Sequence, residues 1–144
     1  MAIQRNTLID IFTRPIGIDI ALTALRVCLG ALLVYHGSLK LFGGLGQMIG
    51  AIERRGWPLP HLQALMATYI EFAGGVLLIV GLFTRPVALF NVVLFSIITY
   101  VWQGNDGFMQ QEKPFLFLML AIFFCFVGPG KWSVDAFVFR KQQA

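Results

Sequence analysis

The feature that most constrains this chain is the apolar stretch over residues 20–42, which is long enough to cross a bilayer as a helix. A transmembrane helix needs about 20 predominantly apolar residues. The stretch also contains an arginine, a histidine and a lysine. At 3.6 residues per turn, one face of this helix carries Arg26, Gly30, Leu33, Gly37 and Lys40. Because a charge inside hydrocarbon is costly, we expect this face to turn toward other helices, where Arg26 finds a partner.

The composition indicates a membrane protein. Hydrophobic residues make up 58% of the chain and charged residues only 12%, and the mean hydropathy is +0.77. A soluble domain carries about twice that charged fraction. The formal net charge is +4, but no basic run with interleaved aromatic residues predicts a nucleic-acid surface. We therefore expect the lipid bilayer, and no nucleic acid, as a partner.

Four apolar stretches predict four transmembrane helices over residues 20–40, 62–83, 86–103 and 113–128. The predicted fold class is an all-α integral membrane protein, an antiparallel four-helix transmembrane bundle, as one domain over residues 1–144. Short interfacial helices are expected in the first loop and at the termini. In the first loop, helical spacing of apolar residues is shown by Leu45, Met48, Ile49 and Ile52.

The distribution of basic residues predicts the orientation in the membrane. Four spans place both termini on one side, which would collect Arg5, Arg14, Arg85, Lys131, Arg140 and Lys141. The opposite side would collect Lys40, Arg54, Arg55 and Lys113. Cytoplasmic segments carry the excess of Lys and Arg, so we expect both termini in the cytoplasm of a bacterial inner membrane. The first apolar run lacks the features of a cleaved signal peptide and is expected to be retained.

Counting residues along the helices predicts where the ionisable groups lie in the membrane. His36 and Lys40 fall in the third of the first span that is farthest from the termini, and Tyr100 and Gln103 fall near the membrane surface on that side. Glu71 falls ~10 Å below that surface. Arg26 is deeper, roughly 11 Å from the level of Glu71. We expect an interior network of Arg26 and Glu71, joined by His36 and Tyr100. This network either only fixes the helix register, or lines a path for a ligand or for protons.

Four motif groups make the sequence resemble the DoxX family. The first is Arg26-x3-Gly30 followed by His36-Gly37-x2-Lys40-Leu41-Phe42-Gly43, and the second is Glu71-x2-Gly74-Gly75 followed by Gly81-Leu82-x-Thr84-Arg85. The other two are the Gly56-x-Pro58 turn and the closing Gly128-x-Gly130-x2-Ser133-x-Asp135. The family comprises small four-helix bacterial inner-membrane proteins. Some resemble subunits of thiosulfate:quinone oxidoreductase, and others are linked to complexes for thiol or oxidative stress.

The resemblance implies a quinone-interacting subunit of a membrane oxidoreductase. The residues expected to be catalytic are Glu71 and His36. Those expected to bind quinone or substrate are Arg26, Lys40, Tyr100, Gly37 and Gly74. Glycines on two helices would permit close packing or give a flat ring access.

The chain shows no motif for an intrinsic electron carrier. There is no flavin or nucleotide fingerprint, no metal motif and no cysteine cluster, and the two histidines do not suggest a haem pair. Cys28 and Cys125 are expected to be packing residues, with a thiol role as the alternative. The electrons would then come from a directly bound substrate or from a partner subunit. The alternative function is a non-catalytic membrane scaffold or anchor with a structural polar interior; a component of an exporter, as a homo-oligomer, is the weaker third possibility.

Overall fold

The computed structural model describes residues 17–104 and 107–140, and every regular element among them is helical. The elements are α1 (Ile18–Leu39), a π-helical segment (Lys40–Gly44), α2 (Leu45–Arg54), α3 (Pro60–Val80), α4 (Thr84–Ser96), a second π-helical segment (Ile97–Trp102), α5 (Phe108–Val127) and α6 (Val134–Arg140). The all-α prediction is confirmed. The expected amphipathic piece before residue 17 lies outside the described residues.

Four of the helical stretches are long and apolar enough to cross a membrane: Ile18–Arg54, Pro60–Val80, Thr84–Trp102 and Phe108–Val127. The last begins at Phe108 rather than near 113, because the helix continues through the polar residues before Pro114. Proline is tolerated in membrane helices where neighbouring groups compensate for the missing donor. The protein is an integral membrane protein.

The turns between helices have clear local causes. Gly81 ends α3 in the left-handed conformation (φ 72°), which glycine adopts without steric cost, and its N–H is bonded to the carbonyl of Leu77. Phe83 is also left-handed (φ 52°), so the chain reverses within a few residues. Pro60 begins α3, where its missing N–H costs no hydrogen bond. These short connections force neighbouring helices to run antiparallel.

The bundle packs most closely within two helix pairs, α1 with α3 and α4 with α5. The backbones of α1 and α3 meet at Gly30 and Gly75. In the other pair, the rings of Phe95 and Phe117 stack with centroids 5.0 Å apart. The fully buried apolar side chains include Leu33. Since the lipid offers no hydrophobic driving force, such close packing is what holds helices together in a membrane.

We name the two ends of the bundle by what lies there. The terminal end carries the start of α1, the turn between α3 and α4, and α6. The loop end carries α2 and the connection from Trp102 to α5. The short helix predicted in the first loop is confirmed as α2, which packs on α3 with Ile52 only 2% exposed.

Candidate functional site

A buried ion pair joins α1 and α3 in the loop-end half of the bundle. The Lys40 Nζ lies 2.6 Å from both Glu71 Oε1 and Glu71 Oε2. The Glu71 side chain is 3% exposed and that of Lys40 is 26% exposed. Charge-assisted hydrogen bonds of this kind are strong and offset part of the cost of removing both charges from water. The pair is therefore accessible to a ligand only from the Lys40 side.

The ion pair lies where α1 loses its regular geometry. The π-helical segment begins at Lys40 and continues to Gly44, and the chain then enters α2. Within this segment Gly43 has non-helical dihedral angles (φ 174°, ψ −23°), so the helix is kinked there. The cationic end of the pair is therefore at an irregular point of the helix.

An aromatic pair adjoins the ion pair in sequence. The rings of Phe42 and Phe72 meet edge to face, with centroids 6.5 Å apart. Phe72 directly follows Glu71, and Phe42 is 80% exposed on the outer surface. A cation beside accessible aromatic surface suits a flat ring with carbonyl acceptors, because the ammonium donates hydrogen bonds while the rings provide apolar contact.

His36 is half-buried one turn before Lys40 on α1. Its ring makes edge contacts with Phe117, at 5.7 Å between centroids, and with Tyr35, at 5.6 Å. Phe117 in turn stacks on Phe95. The imidazole therefore lies against aromatic side chains of the α4–α5 pair, close to the level of the ion pair but packed against rings rather than joined to it.

The predicted partnership of Arg26 with Glu71 is wrong. Arg26 is 1% exposed, and its guanidinium donates hydrogen bonds to the backbone carbonyls of Pro129 and, at 2.7 Å, of Trp132. Those carbonyls lie between α5 and α6 at the terminal end. The guanidinium thus satisfies backbone groups at the opposite end of the bundle from Glu71. The cation that pairs with Glu71 is Lys40 and not, as predicted, Arg26.

Asp135 completes this terminal-end cluster. Its carboxylate accepts hydrogen bonds from the N–H groups of Phe83 (2.8 Å) and Thr84 (2.9 Å), and its own N–H donates to the carbonyl of Gly81 (2.9 Å). A carboxylate at a helix N-terminus satisfies free donors and favourably opposes the helix dipole. The carboxylate also attracts the Arg26 guanidinium. Asp135 belongs to the closing motif of the family resemblance, but no role was predicted for it.

Three of the glycines mediate helix contact rather than opening space. A Cβ on Gly30 would lie 2.6 Å from the carbonyl oxygen of Gly75, and one on Gly37 would lie 2.6 Å from the backbone nitrogen of Phe72. Both positions are filled by the facing helix. The interface between α1 and α3 therefore leaves no room for a ring at Gly37, and of the two roles expected for this glycine the structure shows close packing of the helices.

Tyr100 is not an interior residue. Its side chain is 63% exposed, whereas the preceding Thr99 is 2% exposed and faces the bundle. Its predicted membership of the interior network is therefore wrong. An exposed tyrosine near the end of a membrane helix suits the interface between lipid and water.

Gly74 lies in an apolar groove between α3 and α4. Together with Ile70, Leu77, Phe83, Pro86, Val87 and Phe90, it lines a groove of about 310 Å³. A second groove of about 390 Å³ continues toward the loop end and shares Ile70 and Phe90 with the first. Both are lined almost wholly by apolar side chains on the outer surface. They offer contact to a hydrocarbon chain and no hydrogen bond to a headgroup.

The DoxX family model matches residues 21–104, which include the ion pair, both glycine contacts and the first π-helical segment. The chain belongs to the DoxX family. Among DoxX relatives, the "Putative oxidoreductase CatD" of Bacillus subtilis is 33% identical over 128 residues, covering 87% of this chain and 92% of that one. The "Inner membrane protein YqjF" of Escherichia coli is 26% identical over 133 residues, covering 85% and 95%. No solved structure matches the chain.

Proposed function

We propose that this DoxX protein is a quinone-interacting subunit of an oxidoreductase of the bacterial inner membrane, with both termini in the cytoplasm. The observation that carries the proposal is the Lys40–Glu71 pair, buried except on its ammonium side and bordered by the aromatic pair of Phe42 and Phe72. The relative that is named as an oxidoreductase supports the reaction class, and the relative named as an inner membrane protein supports the location.

The proposed binding mode places the quinone ring at the exposed side of Lys40. One ring carbonyl accepts a hydrogen bond from the ammonium, and the rings of Phe42 and Phe72 contact the face and edge of the quinone. The tail remains in the lipid or follows an apolar surface groove. An anionic sulfur substrate is the other ligand that a partly exposed ammonium would attract.

Reduction of a quinone to a quinol takes up two electrons and two protons. In the proposed mechanism the Lys40 ammonium stabilises the negative charge that develops on the carbonyl oxygen. Glu71 holds Lys40 in place and relays a proton toward the quinone oxygen, and His36 is the second proton donor. The electrons come from a partner subunit or a directly bound reductant, such as a thiol or sulfur compound.

The proposal is tested by quinone binding to the purified protein. We expect quinone to be extracted with the wild-type protein, and a short-chain benzoquinone or naphthoquinone to quench tryptophan fluorescence saturably. Lys40→Met should weaken binding about tenfold or more, since a hydrogen bond to a charged group contributes roughly 1.5–3 kcal/mol. Lys40→Arg should retain part of the affinity. Absence of both co-purified quinone and saturable quenching in the wild type would refute the proposal.

The structure offers a matched control for this test. Lys131 Nζ and Asp19 Oδ2 form an ion pair at 2.8 Å on the surface, with side chains 71% and 31% exposed. Lys131→Met makes the same chemical change as Lys40→Met at a position remote from the proposed site. Quinone affinity should be unchanged in this variant. An equal loss of affinity in both variants would mean that the effect is one of net charge.

A non-catalytic scaffold or anchor is the second candidate function, and the terminal-end cluster favours it. Arg26 and Asp135 use all their described hydrogen bonds on backbone groups of this chain, so their burial is structural. A scaffold would use the Lys40–Glu71 pair in the same way. It predicts that Glu71→Gln lowers stability or assembly with a partner while the wild-type protein binds no quinone.

A further inference from the structure

One face of α4 and its π-helical extension carries a polar stripe, which we define as Asn91, Thr99 and Gln103. With Phe95 between them, these residues follow one another at intervals of four positions. Asn91 is 1% exposed, Phe95 5% and Thr99 2%. The stripe therefore faces the interior of the bundle and runs from the middle of α4 to the loop end.

Each residue of the stripe has a buried oxygen that lacks a hydrogen-bond partner within the described part of the chain. These atoms are Asn91 Oδ1, Thr99 Oγ1 and Gln103 Oε1. Buried polar atoms in proteins are nearly always paired, either with protein groups or with bound water, and the requirement is stricter in hydrocarbon. The hydroxyl of Thr68, buried on α3, follows the rule by donating to the carbonyl of Ala64 at 2.7 Å.

The stripe passes the proposed quinone site. A Cβ on Gly74 would lie 3.5 Å from Asn91 Nδ2, and Glu71 is one turn from Gly74 toward the loop end. Since α3 and α4 are antiparallel, Glu71 lies at a level between Asn91 and Thr99. Phe95 stacks on Phe117, which contacts His36. The stripe therefore connects the level of Glu71 and His36 with the loop end.

The loop end of the stripe reaches polar side chains at the surface of the bundle. Gln111 on α5 donates a hydrogen bond to the carbonyl of Gln103 at 2.7 Å. Arg55 lies over the ring of Trp102, 3.9 Å from its centroid, and donates to the Trp102 carbonyl. Thr99 itself lies within the π-helical segment, where the helix departs from regular packing.

We propose that the polar stripe binds a file of water molecules that carries protons from the loop end to Glu71 and His36. Each water in such a file accepts one proton and passes on another, so one proton moves without any electron transfer. The use of these protons in quinone reduction rests on the function proposed above. The presence of the water file does not depend on it.

Hydroxyl-radical footprinting tests the proposal directly. Brief X-ray radiolysis of the protein in detergent micelles converts bound water to hydroxyl radicals, which oxidise neighbouring side chains and are located by mass spectrometry. We expect Phe95, within the stripe and 5% exposed, to be oxidised several-fold faster than Phe124, which is also buried, at 0% exposed, but lies in the terminal half of α5. Equal rates for the two phenylalanines would overturn the proposal.

Variants of Thr99 sharpen the test. Thr99→Val removes the hydroxyl at constant shape and should lower the oxidation of Phe95 several-fold, whereas Thr99→Ser keeps the hydroxyl and should restore it. Thr84→Val is the matched control, because the Thr84 hydroxyl is also buried and unpaired among the described residues but lies at the terminal end. A loss of Phe95 oxidation in Thr84→Val, or no loss in Thr99→Val, would contradict the assignment.

The footprinting result and the quinone-binding result can be interpreted independently of each other. Fast oxidation of Phe95 in a protein that binds no quinone would support the water file and refute the quinone site. Quinone binding with slow oxidation of Phe95 would support the site and refute the file.

Discussion

The Lys40–Glu71 pair predicts an asymmetric pattern of stability in its two single variants. Lys40→Met leaves the carboxylate of Glu71, 3% exposed, without its counter-ion. Breaking a buried ion pair in this way costs about 3–5 kcal/mol. Glu71→Gln leaves the lysine unpaired instead, but Lys40 is 26% exposed and can extend its ammonium toward water. We therefore expect a smaller loss, about 1–2 kcal/mol, for Glu71→Gln.

The double variant Lys40→Met/Glu71→Gln removes both charges together. Because neither partner is then left as an uncompensated buried charge, its loss should be well below the sum of the two single losses, by roughly 1–3 kcal/mol. The surface pair of Lys131 and Asp19 provides the reference, since exposed pairs contribute about 0–1 kcal/mol. Lys131→Met should lie within that range.

The assay is equilibrium unfolding in mixed micelles, by titration with sodium dodecyl sulfate and tryptophan fluorescence. The chain contains 3 tryptophans, at both ends of the bundle. Additive losses in the double variant would refute direct coupling of Lys40 and Glu71. A loss for Glu71→Gln that exceeds the loss for Lys40→Met would refute the assigned difference in burial.

Three further outcomes follow from the packing. Gly30→Ala should lower the free energy of unfolding by about 1–3 kcal/mol, because the added Cβ would meet the backbone of the opposing helix. Gly46→Ala should have little effect, because its Cβ would have nothing within 4 Å. Equal unfolding midpoints for the two variants would contradict this. Asp135→Ala should lower the free energy of unfolding by about 0.5–2 kcal/mol, because the N-terminal cap of α4 is lost. It should also increase protease cleavage after α5, and unchanged cleavage would count against the cap. Tyr100→Phe should leave quinone affinity unchanged in the fluorescence titration, since its side chain is exposed on the outer surface.

The fold was predictable because hydropathy alone marks the spans. The partners of the buried charges were harder to predict from the sequence. Lys40 lies near the end of its helix, where a lysine commonly extends to the interface, and the partial exposure of its side chain agrees with that reading. The sequence did not reveal that its ammonium also reaches Glu71. Arg26 pairs with backbone carbonyls of the α5–α6 connection, and a backbone carbonyl has no signature in the sequence.

Some errors were avoidable. Asn91, a polar residue in the middle of the third span, is buried, and Tyr100 follows it by nine positions. At 3.6 residues per turn, nine positions amount to about half a turn beyond whole turns, so Tyr100 falls on the opposite face. The same count of residues per turn places Thr99, eight positions after Asn91, on the side that faces the interior of the bundle. Asp135 is harder to predict, because it acts on backbone donors 51 and 52 positions earlier in the chain.

The terminal-end cluster has a consequence for how the protein is made. The carboxylate of Asp135 and the carbonyls of Pro129 and Trp132 are translated after all four membrane spans. Until they leave the ribosome, the first turn of α4 and the guanidinium of Arg26 have no access to these partners. The last step of folding therefore follows insertion of the four spans: the bundle forms its final polar contacts with the segment that follows the fourth span.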